Sequence, residues 1–408
     1  MTARTLKVRR DEFPLLDSVR GIAAMLVFTI HVSYYVRMDG VLGHYLSQRF
    51  EGFPPTAVAV FFALSGFLLY RPFARARLRG RPLPSIRAYA VRRVARIVPA
   101  YWLTLVLIAL WVDRGYVFSA SNLGTYFGFT QLYNVHTYQG GLAQAWTIDV
   151  EMTFYVLLPL LAIALNRLRA SSTRSFLRSE LTFFGLLVLL CIGWQVFAVE
   201  TVSPTSPHVY AAVLSLPGSL DFFVVGMALA SLSVAAESAP SSRAVALIKR
   251  APWLAWAGAL VGCVALVHSR DLFGSNRTVA WVCSHELRSV VTALLLLPAI
   301  FGSVEQGVLR RLLGLGALRW VGKVSFGLYL WHVVLLEKFR SAGLIDSLGP
   351  VGYVLVAFAA SLAMGALSWY AIERPALALA ARLPRSGRHE PPGQVGAPAP
   401  ATAATRRG

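Results

Sequence analysis

The chain has 408 residues, of which 56% are hydrophobic and only 14% charged. A water-soluble domain ordinarily carries about 25% charge, so this much apolar sequence excludes an ordinary soluble globule and calls for lipid. The net charge of +20 invites nucleic acid as a partner, but its distribution along the chain speaks against that.

Runs of roughly 17–25 apolar residues cross a bilayer as helices. They fall near 16–36, 56–73, 96–113, 146–166, 181–199, 210–233, 252–268, 285–303, 318–338 and 350–372. The expectation is an all-α polytopic bundle of about ten transmembrane helices, with room for a re-entrant segment over 115–145. Alternate loops hold 27 Lys and Arg residues and the intervening loops 7. By the positive-inside rule this puts both termini in the cytoplasm, so the basic charge chiefly sets topology. Three units follow: a basic cytoplasmic N-terminus over 1–15, a membrane domain over 16–375, and a cytoplasmic tail over 376–408. The tail reads as disordered from about 386, where Pro, Gly and Ala crowd the sequence. Cys191, Cys263 and Cys283 are odd in number and lack metal-ligand spacing, so neither a disulfide framework nor a metal site is expected.

The first span opens on Asp17 and Arg20 and carries His31 well inside; it lacks the cleavage site of a signal peptide. An ionisable group at mid-helix costs about 2.5–3.5 kcal/mol on insertion scales, so its presence is a functional hypothesis. Arg20 and His31 are eleven residues apart. That is about three helical turns, so they share one face about 16 Å apart along the axis. Arg20 then lies at the cytoplasmic end and His31 in the outer half. The plain alternative is an interfacial Arg anchor with a His bonded to a neighbouring helix.

In the second span Ser65 and Gly66 are small residues of the kind that permit close helix packing. At the start of the third, Arg93 and Arg96 are at i,i+3 and Arg92 and Arg96 at i,i+4, so their guanidiniums can converge on one ligand. Arginine suits bidentate phosphate binding, although any basic run also binds lipid headgroups. Beside Arg20 at the same face, these residues suggest a phosphate-bearing cytosolic ligand.

In the fourth span Glu151 lies at about the same depth as His31, and a carboxylate beside an imidazole raises its basicity and fixes its tautomer. The alternative is an interfacial Glu bonded to Trp146 or the outer loop. Asp149 is expected to be exposed there. Asp221 sits nearer the midplane of the sixth span, with no partner readable from sequence. In the ninth, Ser325, Tyr329 and His332 form one helical stripe, either interhelical glue or a substrate surface. Anion-binding arginines at the cytoplasmic face, with a histidine about 16 Å deeper, fit a ligand with a phosphorylated head and a long thin arm. Coenzyme A has that shape.

At this point the sequence resembles the acyltransferase-3 family of bacterial integral-membrane O-acyltransferases. The matching pieces are "LDSVRGIAAMLVFTIH", "FFALSGFLLY", "RRVARIVPAYW", "WTIDVEMTFYVLLP", "SFGLYLWH" and "WYAIERP", in the family's order over residues 16–375. The resemblance implies ten spans in the bacterial inner membrane and acyl-CoA as a co-substrate, with no permanently bound cofactor. It implies transfer of a short acyl group, commonly acetyl, to a hydroxyl of a sugar-containing acceptor: envelope polysaccharide, glycolipid or macrolide. It carries the Arg-x10-His roles onto Arg20 and His31, donor binding onto Arg93 and Arg96, and the acidic position of the Trp-Thr motif onto Glu151. Ser18 and Phe326 depart from the family's usual Gly and Tyr. Some members add an extracytoplasmic hydrolase-like domain, of which these 408 residues contain no counterpart.

The expected chemistry is direct transfer with His31 as general base and Glu151 orienting it. Asp17, Ser65, Asp221, Ser325, Tyr329 and His332 would give substrate or structural support. An acyl-enzyme relay is the mechanistic alternative. The rival class is a secondary transporter of a small polar or anionic substrate. Transporters often carry internal repeats, and no matching halves occur here. Lipid, acyl-CoA and a carbohydrate acceptor are the expected partners; neither nucleic acid nor a partner protein is inferred.

Overall fold

A computed structural model describes residues 13–36, 56–112, 114–168, 170–203, 205–206, 208–238, 243–302 and 307–382. The tail from 386 and most of the basic N-terminal segment lie outside these residues. The described residues contain helices and no strand. Lipid offers no hydrogen bonds to backbone, so spanning segments must satisfy their own.

In chain order the helices are α1 Pro14–Tyr35, α2 Thr56–Leu78, α3 Ile86–Trp111, α4 Ala120–Phe127, α5 Trp146–Asn166, α6 Thr173–Thr201, α7 Val209–Leu214 and α8 Leu216–Ser238. They continue as α9 Arg243–Arg250, α10 Pro252–Val267, α11 Ser269–Phe273, α12 Arg277–Ile300, α13 Val308–Leu313, α14 Gly316–Ser341, α15 Leu344–Ser368 and α16 Arg374–Ala381. Among the described residues, eight segments are long and apolar enough to cross a membrane. Two further helices stand where the ninth and seventh apolar runs fall. One is α14, 26 residues long with Arg319, Lys323, Glu337 and Lys338 toward its ends; the other is α10, apolar but only 16 residues long. The chain is a multi-pass membrane protein. Its outer surface carries Leu110, Val156, Leu160, Leu190, Leu260 and Val261, each more than half exposed. An apolar surface of this extent belongs against lipid.

Local signals set the helix ends. Pro14 opens α1 at a position whose N–H needs no partner. The Ser85 side chain accepts from the Ala88 N–H to cap α3, and Ser172 and Ser175 form a reciprocal capping box on α6. The segment between α3 and α5, the expected re-entrant region, is short turns of helix, Gly115–Phe118, α4, Gln131–Tyr133 and Ala143–Ala145. It is tied to α3 by the Tyr101 hydroxyl, which donates to the Tyr126 carbonyl at 2.9 Å.

Two pairs of crossings organise the core. α2 lies along α8, and α1 along α14. A Cβ on Gly226 would collide with the Ala63 carbonyl oxygen, and one on Gly66 with that of Phe223. Likewise a Cβ on Gly322 would run into the Asp17 carbonyl oxygen. Only glycine lets these backbones approach so closely, the small-residue packing that membrane helices use where no hydrophobic effect drives them together. The α1–α14 crossing brings the two histidine-bearing helices into register. At the far end of the chain, one π-helical turn, Trp369–Glu373, precedes Pro375. It turns Glu373 into the bundle, where it is 1% exposed.

Candidate active site

Five helices converge on a chamber of about 120 Å³. Its walls include Arg20 from α1, Ser65 from α2, Arg93 and Arg96 from α3, Thr147, Glu151 and Tyr155 from α5, and Ser325 and Tyr329 from α14. Residues scattered over more than 300 positions therefore meet in one cavity. The arginines are differently held. Arg96 is committed: its Nη1 donates to Glu373 Oε2 at 2.9 Å, and its guanidinium lies 5.3 Å from the centre of the Trp369 ring. Among the described residues Arg20 reaches only Asp17, at 3.5 Å, the margin of a hydrogen bond. The Nε of Arg93 is buried with no hydrogen bond among the described residues. Two cationic groups thus face a cavity with donors to spare, the condition for binding an anion.

Arg92 does not join them. It lines a separate groove, while Arg93 and Arg96 line the chamber, so the cavity that Arg96 faces does not include Arg92. Both residues lie on α3, but the wall between chamber and groove runs between them.

Glu151 also differs from expectation. Its carboxylate accepts from the Ser65 hydroxyl at 2.7 Å and the Tyr155 hydroxyl at 3.1 Å. No hydrogen bond joins it to His31 or Trp146 among the described residues, and it lines the arginine chamber. Equal depth in the membrane rests on residue counts, which carry no information on direction around the helix. Asp149 is not exposed but fully buried, accepting from the Leu132 N–H at 2.8 Å. There it ties the short helical turns outside α5 to the bundle.

His31 finds its partner on α14. Its Nδ1 lies 2.9 Å from the Val27 carbonyl oxygen and 3.2 Å from Nε2 of His332, and Nδ1 of His332 lies 2.7 Å from the Tyr329 carbonyl oxygen. Carbonyl oxygens only accept, so both Nδ1 atoms carry the proton. His332 Nε2 is then an acceptor, facing the His31 Nδ1–H. The lone pair on Nε2 of His31 is left for chemistry, with no hydrogen-bond partner among the described residues. His332 is fully buried, while His31 is half-buried. His332 therefore holds the orienting position expected of Glu151, with a neutral ring in place of a carboxylate.

The stripe on α14 links chamber and histidines. Ser325 and Tyr329 line the chamber; the Tyr329 ring centre is 5.6 Å from that of His332. Tyr329 is locked at its tip, where its hydroxyl donates to the Gln144 carbonyl and meets the Thr147 hydroxyl at 2.7 Å. Neither histidine lines the chamber itself.

Asp221 belongs elsewhere. Its carboxylate accepts from His285 Nε2 at 2.9 Å, the Cys191 thiol at 3.3 Å and the Ser289 hydroxyl, tying α6, α8 and α12 together. Cys191, Asp221 and His285 place ligand atoms within 4.8 Å of one another, a set of metal-binding types that sequence spacing does not reveal. Three donated hydrogen bonds hold the carboxylate in an interhelical knot, while Nδ1 of His285 is buried without a hydrogen bond among the described residues.

Sequence reasoning misses Tyr155, Thr147, Gln144 and Glu373. Tyr155 stands four residues after Glu151 and so shares its helix face, a signal that is legible. Thr147, four residues before Glu151, carries the same signal, whereas Gln144 and Glu373 meet the site only through tertiary packing.

A family model described as an acyltransferase domain matches residues 13–372. The chain is 24% identical over 384 residues to the "Putative peptidoglycan O-acetyltransferase YrhL" of Bacillus subtilis, covering 89% of this chain and 54% of that one. It is 24% identical over 396 residues to Nodulation protein 10 of Rhizobium leguminosarum, covering 91% and 94%. It is 20% identical over 415 residues to the peptidoglycan O-acetyltransferase OatA of Listeria monocytogenes, covering 91% and 57%. The chain thus spans little more than half the length of two of these relatives. No solved structure matches it.

Proposed function

The chain belongs to the acyltransferase-domain family, and from that membership we propose that it is a membrane O-acyltransferase. It moves a short acyl group, acetyl in the simplest case, from acyl-CoA to a hydroxyl of a sugar-containing acceptor. The peptidoglycan O-acetyltransferases among its relatives favour an envelope glycan as that acceptor. The observation that carries the reading is the histidine pair: it leaves a basic nitrogen on His31, and His332 stands one helical turn after Tyr329 in the wall of a chamber with incompletely paired arginines.

In the proposed reaction Arg20 and Arg93 hold anionic groups of the donor while its arm passes Tyr329 toward the histidines. Nε2 of neutral His31 takes the proton of the acceptor hydroxyl as that oxygen bonds to the thioester carbonyl carbon. The C–S bond then breaks, and the departing thiolate takes the proton back from the imidazolium. Ester and free thiol are the products, and the histidine ends neutral. While charged, the His31 ring is stabilised through its Nδ1–H by the Val27 carbonyl and by Nε2 of His332. General base help of this kind is worth about 10²–10⁴ in rate.

Membranes holding wild type or His31→Ala at matched folded levels, supplied with isotopically labelled acetyl-CoA, test the reading. Label is expected in envelope glycan with wild type only. Equal label from both proteins removes His31 from the chemistry, and a trapped acylated residue replaces direct transfer by a relay.

A further inference from the structure

Away from the chamber, α6, α8 and α12 meet around the buried polar knot. Cys191, Asp221 and His285 come from these three helices, 30 and 64 residues apart along the chain, and none is more than 1% exposed. Their ligand atoms all lie within 4.8 Å of one another. Asp221 Oδ1 is 3.3 Å from Cys191 Sγ and 2.9 Å from His285 Nε2. Four-coordinate zinc, with sulfur at about 2.3 Å and nitrogen or oxygen at about 2.0–2.2 Å, spaces its ligands about 3.3–3.7 Å apart. The three side chains thus approach one face of a coordination tetrahedron.

Two further observations point to a cation. Nδ1 of His285 and Oε1 of Gln195 are both buried with no hydrogen bond among the described residues. With Nε2–H donating to the carboxylate, Nδ1 carries a lone pair, so both orphans are electron-pair donors. Buried polar atoms left in this way call for an ion or a water. Gln195 is itself fully buried one turn after Cys191, and its Nε2 donates to Cys191 Sγ at 3.4 Å and to the Gly218 carbonyl at 3.3 Å. An N–H aimed at the sulfur favours thiolate, the form that binds metal. The Ser289 hydroxyl holds Oδ2 of Asp221, and the Phe222 ring lies stacked on His285 with centres 4.4 Å apart. Contacts of this kind orient the ligands of metal sites.

We propose that Cys191, Asp221 and His285 bind a divalent cation, as a structural site that joins α6, α8 and α12. Thiolate and imidazole together suit zinc, whereas calcium and magnesium take oxygen ligands. The proposal stands apart from the acyl-transfer reading and uses none of its residues. On binding, the thiol releases its proton to water as sulfur bonds the metal. The Nε2 proton of His285 moves to Nδ1, and Nε2 bonds the metal in its place. Oδ1 of Asp221 exchanges its two hydrogen bonds for a metal bond, and Oδ2 keeps the Ser289 hydroxyl. Water or Gln195 Oε1 takes the fourth position. Dication, thiolate and carboxylate sum to zero, and a neutral set is the least costly to hold away from water. Arg288 and Glu286, which also act on Asp221, are of opposite sign to each other.

The full chain, purified in detergent with a histidine-free tag and no chelator, would be assayed for metal by elemental mass spectrometry. About one zinc per chain is expected in wild type, and little in Cys191→Ala. That variant keeps the bonds from His285 and Ser289 to Asp221, so it tests binding more than folding. Chelator-treated protein titrated with Co²⁺ gives a second readout. Wild type should develop the visible bands of a four-coordinate ion and a sulfur-to-cobalt charge-transfer band. Cys191→Ala should lack the charge-transfer band and bind Co²⁺ at least about 10–100-fold more weakly, the loss that follows removal of even a residue that only supports a ligand. Chelation should lower the thermal unfolding midpoint of wild type and leave that of Cys191→Ala unchanged. Wild type that carries no metal and gives no cobalt spectrum overturns the proposal. So does a Cys191→Ala protein that holds the ion as tightly as wild type.

Discussion

Two clusters of charge in this bundle, one buried and one half-buried, do opposite things. At the C-terminal end of α2, Arg77 and Glu180 meet at 2.5 Å, both almost wholly buried. The Glu180 carboxylate also accepts from the Tyr70 hydroxyl at 2.6 Å and the Ser231 hydroxyl at 2.9 Å, and Arg77 Nη2 donates to Ser179 and the Leu168 carbonyl. The chamber reverses this: Arg20 and Arg93 line open space, and among the described residues the nearest ion pair either makes is Arg20 with Asp17 at 3.5 Å. Holding charge away from water is costly in both places. What differs is whether the surrounding groups cancel the charge or leave it for a ligand. Buried charge alone is therefore a weak sign of function, and buried charge beside a cavity a strong one.

The sharpest break of this comparison is Arg77→Ala. It leaves Glu180 buried with its hydroxyl partners but no counter-charge, a change that typically costs about 3–5 kcal/mol. Thermal unfolding in detergent should show a large loss of stability, with the protein scarce in membranes. Arg93→Gln, by contrast, should leave the unfolding midpoint nearly unchanged and raise the KM for acyl-CoA about tenfold, since each charge-assisted bond is worth about 1.5–3 kcal/mol. Equal destabilisation by both variants would erase the distinction.

His332→Leu is expected to come next in size. It keeps volume and removes the acceptor for the His31 Nδ1–H, so the imidazolium loses part of its stabilisation. A fall in kcat of about 10²-fold is expected, roughly 2.7 kcal/mol of barrier, with little change in KM. The readout specific to positioning is the pH profile: His332→Asn, which keeps an acceptor, should restore part of kcat and move the acidic limb back toward wild type. A loss in KM alone would make His332 a packing residue.

Much of this contrast is legible in the amino-acid sequence. Composition and ten apolar runs give the all-helical membrane fold, and the eleven-residue spacing of Arg20 and His31 places both on one face of α1. Ser325, Tyr329 and His332 are also visible as one stripe, and that stripe joins chamber and histidine pair. Pairing between helices is what the sequence hides. Residue counts give depth along the membrane normal but not which helix faces which, so they match Glu151 to His31 although Ser65 and Tyr155 surround it. For the same reason they leave Asp149 exposed when it is buried, and Asp221 without the partners that α6 and α12 bring against it. Glu373 is hidden by a π-turn, a local irregularity with no clear pattern in sequence.

The smallest expected effect tests how finely the chamber is built. Tyr155→Phe removes one of two hydroxyls that donate to Glu151 and leaves the ring packed in place. Hydrogen bonds between side chains in membrane proteins average about 0.6 kcal/mol, so stability should fall by no more than that. The consequence for the carboxylate is larger than for the fold. With only the Ser65 hydroxyl left, Glu151 is free to turn toward Arg20 and Arg93, whose charges both act on it. A carboxylate leaning on those guanidiniums competes with the donor's anionic groups, so the KM for acyl-CoA should rise a few-fold while kcat holds. If KM is unchanged and kcat falls instead, Glu151 acts on the reacting groups and the chamber is part of the catalytic machinery, not only the donor's seat.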